Sequence, residues 1–304
     1  MISCWAPEGV GEVREGDDLV ALVVGAVPDL ADGDVVVLTS KILSKAEGRT
    51  STRPREDVIA DETVREVARR GPVRIVENHL GLVMAAGGVD ASNVEPGTVL
   101  LLPRDPDASA RSVREGLLAR TGRNVAVIVT DTAGRAWRLG QTDLAIGAAG
   151  LLPLDDHAGR TDGYGNPLAV TAPAVVDEIA AAAELVAGKT SGRPLSVVRG
   201  LAQRVLAAGD HGPGARMLVR PASEDMFGLG AREAVVAAVA RRQSTSFGRR
   251  ASAGELAEVL ADLGLEAGSP LAAVVAHAYG WEGSVDFARP GARQKETRGQ
   301  AEER

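Results

Sequence analysis

Val125-Ala126-Val127-Ile128-Val129-Thr130-Asp131-Thr132-Ala133-Gly134-Arg135-Ala136-Trp137-Arg138 opens as an unbroken apolar run and changes character at Thr130. Five consecutive apolar residues, Val125 to Val129, predict a strand covered on both faces, the kind found inside α/β sheets. On this reading Asp131 and Thr132 emerge at the end of the strand, where open α/β sheets place their ligands. A carboxylate beside a hydroxyl supplies hard oxygen donors for Mg²⁺ or Mn²⁺, and Arg135 and Arg138 supply donors for phosphate or carboxylate. An ordinary strand-ending turn with a solvated aspartate explains the same letters.

Outward from this strand, helical and extended stretches intermix. Asp17-Asp18 leads a helix over Leu19–Leu30, and Asp32-Gly33 turns into a strand at Val35–Leu38. A helix is predicted over Asp61–Arg70, with strands at Val73–Val76, Leu82–Ala86 and Val99–Leu102. Asp105-Pro106 caps a helix running to Arg120. Pro173–Val186 reads as the longest helix, Leu195–Val198 as a strand and Glu233–Arg242 as a helix. The fold class is therefore mixed α/β (α+β), with no internal repeat.

Two further segments carry chemistry. Gly87-Gly88-Val89-Asp90-Ala91-Ser92-Asn93 follows a strand; Asp90 could ligate a metal and Asn93 could bond a base, ribose or phosphate. Turn chemistry alone accounts for it equally. Leu38-Thr39-Ser40-Lys41-Ile42-Leu43-Ser44-Lys45 also follows a strand, and its hydroxyls and lysines could hold a phosphate chain. It lacks the glycine spacing and the terminal Gly-Lys-Ser/Thr of a P-loop. Gly159–Asn166 is a substrate loop or a tight connection, and His79, His157, His211 and His277 are scattered without metal-ligand spacing.

Composition narrows the classes. The chain has 304 residues, 45% of them hydrophobic, enough for a sizeable core. A net charge of −7 argues against a nucleic-acid or acidic-membrane partner while leaving room for a local basic pocket. Cys4 is the single cysteine, so neither an internal disulfide nor a thiolate metal cage is available. With no signal-like N-terminus and no run of transmembrane length, the cytoplasm is the expected compartment. Composition shifts near Arg241, so the expected division is a catalytic domain over 1–240 and a short helical extension over 241–304. Within the extension, helices are predicted at Gly254–Leu263 and Pro270–Tyr279, and the charged Arg289–Arg304 reads as a disordered tail.

The ordered set of segments resembles the coenzyme F420-0:γ-glutamyl ligase family. It comprises Arg14–Leu19, Thr39–Arg49, Gly88–Asn93, Thr130–Arg138, Gly159–Asn166, Val176–Ala180 and Val197–Gly200, and the likeness covers roughly Pro7 to Gly228. The resemblance implies a mixed fold that is neither Rossmann nor P-loop. It also implies a ligase that uses GTP to add L-glutamate to coenzyme F420-0 and then extends a γ-linked tail, F420-(γ-Glu)n. Two Mg²⁺ or Mn²⁺ ions are implied, K⁺ could be a further cation, and the working form would be a homodimer. Asp90, Asp131 and Thr132 match the family's metal ligands. Ser40, Lys45 and Asn93 match its GTP contacts, and Glu8-Gly9-Val10-Gly11 aligns with its amino-terminal nucleotide turn, with the usual Leu-Pro replaced. Gly188-Lys189-Thr190-Ser191-Gly192-Arg193 carries a lysine where archaeal relatives often have an acid or amide. Some relatives continue into a flavin domain; the residues after the ligase region here are too few for one, so no FMN is expected. The alternatives are a paralogue joining another acid to another amino acid, and a catalytically silent nucleotide-binding protein.

Overall fold

A computed structural model describes residues 1–242 and 247–281. The chain forms two compact units, Met1–Arg220 and Pro221–Arg304, so the helix expected over Glu233–Arg242 belongs to the second. The tail expected to be disordered lies outside the described residues.

The first unit contains β1 (Ser3–Trp5), α1 (Leu19–Ala26), β2 (Val35–Thr39), α2 (Ser40–Ala46), β3 (Thr50–Ser51), α3 (Arg55–Glu62), β4 (Thr63–Arg70), β5 (Val73–Asn78), β6 (Val83–Ala85), β7 (Val99–Leu100), α4 (Pro106–Thr121), β8 (Ala126–Gly134), β9 (Gln141–Ala149), α5 (Val175–Ala187) and β10 (Leu195–Arg199). Its central sheet runs β1-β10-β2-β8-β9, with β2 and β8 parallel and the other pairs antiparallel. Smaller sheets, β3-β7 and β4-β5-β6, lie beside it in the chain's ordering.

Alternation along β2 and β8 explains why their sequences are apolar throughout. Val36, Leu38, Val127 and Val129 join a core with Val23 of α1 and Val113 and Leu117 of α4. Val35, Val37, Ala126 and Ile128 join a second core with Val176, Ile179 and Ala183 of α5. A strand clothed on both faces has no polar side to show. The expected caps hold: Asp18 accepts from the amides of Val20 and Ala21, and Asp105 accepts from that of Ala108 with Pro106 starting the helix.

Three expectations change. The helix expected over Asp61–Arg70 is instead the end of α3 followed by β4. Irregularities in the β4–β5 pairing at Thr63/Arg65 and Glu66/Ala68 break the two-residue alternation that would have marked a strand. The strand at Val125–Val129 does not stop at Thr130 but continues to Gly134, paired with β9, which was not anticipated. β9 is disguised by small residues, and Gly147 shows why: a Cβ there would stand 2.4 Å from the carbonyl oxygen of Pro106. The start of α4 therefore presses directly on β9. The longest helix is α4, with 16 residues against 13 in α5.

As the edge strand of the sheet, β9 has its outer amides covered by side chains. Asp107 Oδ1 accepts from Ala148 N at 2.8 Å, and Asp177 Oδ1 accepts from Ala145 N at 2.9 Å. Carboxylates in those positions both satisfy the amides and block pairing with another strand.

The second unit contains α6 (Ala231–Val239), α7 (Ala253–Asp262) and α8 (Pro270–Ala278). Leu256 and Leu260 pack against Ala272 and Ala276, with Trp281 beside them. Ser252 and Glu255 form a reciprocal capping box at the start of α7.

Candidate functional site

Register brings the first pair of site residues together. β2 and β8 run parallel with Thr39 opposite Thr130, so Ser40 and Asp131, one position further along each chain, lie side by side. Ser40 Oγ donates to Asp131 Oδ1 at 3.1 Å. One residue on, Lys41 Nζ forms an ion pair with Asp90. Asp90 is held in place by a bridge to Leu100 and by Ser92, whose amide and hydroxyl donate to it at 2.9 and 2.7 Å.

The antiparallel β8–β9 pair builds the second group. Thr132 stands opposite Asp143 and donates to its Oδ1 at 2.7 Å, while Thr130 Oγ1 donates to its Oδ2 at 2.9 Å. Thr130 and Thr132 share one face because they are two apart in a strand. Lys189, from the loop after α5, donates its ammonium to Thr132 Oγ1.

Both groups border a cavity of about 300 Å³. Its wall includes Val10 to Val13 of the amino-terminal arm, Lys41 and Lys45 of α2, Asn93, Thr132, Asp143, Glu184 of α5 and the Gly188–Pro194 loop. Lys45 pairs with Glu12 across this wall. Asn93 adopts a φ of 56°, a left-handed conformation that asparagine accepts more readily than most residues.

The charges are unevenly balanced. Burial pushes the Asp131 carboxyl up to about 6; the neighbouring charge of Asp143 acts in the same direction, and Lys41 and the Ser40 hydroxyl act against it. Burial also acts to raise Asp90, but Lys41 and the two Ser92 donors outweigh it and hold that carboxyl down at about 2. Glu184 is raised, by burial first and by Asp143 second, with Lys189 opposing. The site therefore contains one acid that is fully ionised and another that binds its proton closer to neutrality.

The expected site residues fall into three sets. Val10, Gly11, Lys45, Asn93 and Thr132 line the cavity, and Ser40, Asp90 and Asp131 bond to or neighbour its walls. Glu8 and Gly9 are exposed and outside its lining. Arg135 and Arg138 lie in the exposed β8–β9 turn, where Arg135 donates to the Leu139 carbonyl at 3.3 Å, and neither lines the cavity. The reason is the continuation of β8, which carries the turn away from the site. Gly159–Asn166 closes on itself: Asp162 accepts from the amides of Tyr164 and Asn166, each at 2.8 Å.

Asp143, Glu184 and Lys41 were not singled out from sequence. Asp143 sits in an unrecognised strand, and Glu184 resembles any acid on a helix surface. Lys41 was visible within its segment, but only its pairing with Asp90 distinguishes it from Lys45.

Hard oxygens at Asp90 and Asp131, both acted on by the Lys41 charge, suit a divalent cation. Among the described residues no three carboxylate, histidine or cysteine side chains converge closely enough to hold a metal ion by themselves. An ion there would take its remaining ligands from water and phosphate oxygens, the usual coordination of Mg²⁺. No helix among the described residues is long and apolar enough to cross a membrane.

The cavity is lined by Lys41, Lys45 and Lys189, with carboxylates at its edge, a charge pattern that suits an anionic ligand such as a phosphate group. Comparison with known proteins narrows this. The family model for F420-0:Gamma-glutamyl ligase matches residues 9–58 and 50–200. A Coenzyme F420:L-glutamate ligase of Archaeoglobus fulgidus is 42% identical over 222 residues, covering 66% of this chain and 88% of the relative. Its counterpart in Methanothermobacter thermautotrophicus is 39% identical over 253 residues, covering 74% and 98%. That of Haloarcula marismortui is 39% identical over 255 residues, covering 75% and 96%. The chain belongs to the F420-0:γ-glutamyl ligase family.

Proposed function

We propose that this protein is a GTP-dependent ligase that adds L-glutamate to coenzyme F420-0 and then extends the γ-linked tail. The supporting observation is the junction of Ser40–Asp131 with Lys41–Asp90 at the edge of a lysine-lined cavity in a chain of this family. The relatives' names carry the glutamate and F420 part of the reading.

A carboxylate does not acylate an amine unaided. Here the acceptor carboxylate attacks the γ-phosphorus of GTP, GDP leaves, and an acyl phosphate results. The glutamate amine then attacks the acyl carbon, phosphate leaves, and the amine's proton passes to solvent. Such phosphoryl transfer is catalysed chiefly by positioning and charge, so no protein nucleophile is assigned. In this reading Lys45 and Lys41, which line the cavity, bind the phosphate chain, and Asn93 bonds the nucleoside. Asp90 and Asp131 would hold Mg²⁺ or Mn²⁺, which when bound neutralises phosphate charge as it develops. We take the working form to be a homodimer.

Incubation with GTP, Mn²⁺, L-glutamate and F420-0, followed by mass measurement, tests this. Added glutamate units with stoichiometric GDP are expected. Neither product would overturn the reading, and GTP turnover only with another acid or amine would assign the chain to a paralogous reaction.

A further inference from the structure

Asp131 and Thr132 are neighbours in sequence but not in the sheet. Successive side chains of a strand leave opposite faces. Asp131 follows Val127 and Val129 toward the α1–α4 side, while Thr132 follows Ala126 and Ile128 toward the α5 side. The first side carries Ser40 and, through Lys41, Asp90. The second carries Asp143, Glu184 and Lys189.

On the α5 side a cation of the chain already stands beside the acids. The Thr132 hydroxyl gives its proton to Asp143 and accepts from Lys189 Nζ, both Asp143 oxygens accept from threonines, and the Lys189 charge acts on Glu184. A cation bonded to the Thr132 hydroxyl, and acting on the Glu184 carboxyl, is therefore present as part of the chain. A divalent ion at Thr132 would meet that ammonium directly and have to displace it, whereas on the other side the Lys41 ammonium is bonded to Asp90 and the Asp131 carboxyl accepts from the Ser40 hydroxyl.

We propose that Lys189 supplies the cation at the Thr132–Asp143–Glu184 position, so that this chain takes one divalent ion, beside Asp90 and Asp131, and not two. Thr132 is then a seat for the lysine instead of a metal ligand. The single remaining metal rests on the function proposed above; the place of Lys189 does not.

Counting Mn²⁺ bound per chain, by electron paramagnetic resonance of the free ion during titration, reads this without turnover. The full chain is titrated with and without GDP. Lys189→Gln and Lys189→Met are expected to bind one more Mn²⁺ than the unaltered protein in at least one arm, and Lys189→Arg the same number. Adding Asp143→Asn to Lys189→Gln is expected to remove the gained ion. Equal counts for Lys189→Gln, Lys189→Met and the unaltered chain in both arms would overturn the proposal. So would two ions on the unaltered chain with one lost in Asp143→Asn. Lys189 is exposed on its loop, so the changes at that position leave the core untouched, and circular dichroism checks the fold of the variants that carry Asp143→Asn. Failure of the ligase reading shows separately, as no glutamate added whatever the ion count.

Discussion

At the scale of single residues the site depends on what each acid is bonded to. Asp131 needs its charge to hold a cation, yet burial holds its carboxyl near 6. The proton therefore competes with the metal, and the Mn²⁺ concentration needed for half-maximal ligation is expected to rise as pH drops. Ser40 bonds the charged form, so Ser40→Ala raises the Asp131 pKa further and moves this acid limb to higher pH; a rate–pH profile of the two proteins at one fixed, subsaturating Mn²⁺ concentration checks it. An unmoved limb would remove Asp131 as its origin. Asp131→Asn keeps the shape and loses the charge, and its kcat is expected to fall by about 10²-fold or more with the fold intact by circular dichroism.

At the scale of elements the β8–β9 hairpin governs the site. Its apolar half was readable as a strand because both faces are covered, whereas its polar half read as a turn because Thr130-Asp131-Thr132 has no apolar periodicity. β9 was not readable at all: its Gly147-Ala148-Ala149 end answers to the approach of α4, a tertiary requirement that no local pattern expresses. The same approach makes Gly147 replaceable only at a cost. Gly147→Val is expected to destabilise the protein by about 1–3 kcal/mol in urea unfolding, since the new side chain meets the Pro106 carbonyl. Stability equal to the unaltered chain would mean that α4 shifts freely. The three strand-end segments were legible because hydroxyls, lysines and acids directly after apolar runs are conspicuous. Asp143 and Glu184 were not, since what marks them is their distance to Thr132 and to each other across the chain.

At the scale of the whole molecule the two units differ in what their acids do. In the second unit Glu255 closes the capping box with Ser252 and pairs with Arg249 at 2.9 Å. The Ser252 amide chiefly, with the Ser252 hydroxyl and Arg249, holds its carboxyl down at about 2. A folded-state pKa below the ordinary 4.5 means that the contribution is complete above that value and is lost as pH falls toward 2. Helicity of α7 is thus expected to decline across that window in the full chain and to lose the pH dependence in Glu255→Gln, as read by amide hydrogen exchange. Exchange in α7 that tracks pH identically in both proteins would exclude the box as the cause.

One irregularity in the central sheet bears on which changes of chain length the protein tolerates. Val129 pairs with Gly147 and Thr130 with Ala145, so Ile146 is an extra residue absorbed as a bulge. Were it taken into a regular ladder, every residue from Ala145 back to Gln141 would move one place, and Asp143 would turn away from Thr132. Deleting Ile146 should therefore leave Asp143 facing its threonines, at the expense of some core, while deleting Leu144, two positions away, should turn it over. Descendants of this sequence could shorten at one of these positions and keep the site, but not at the other.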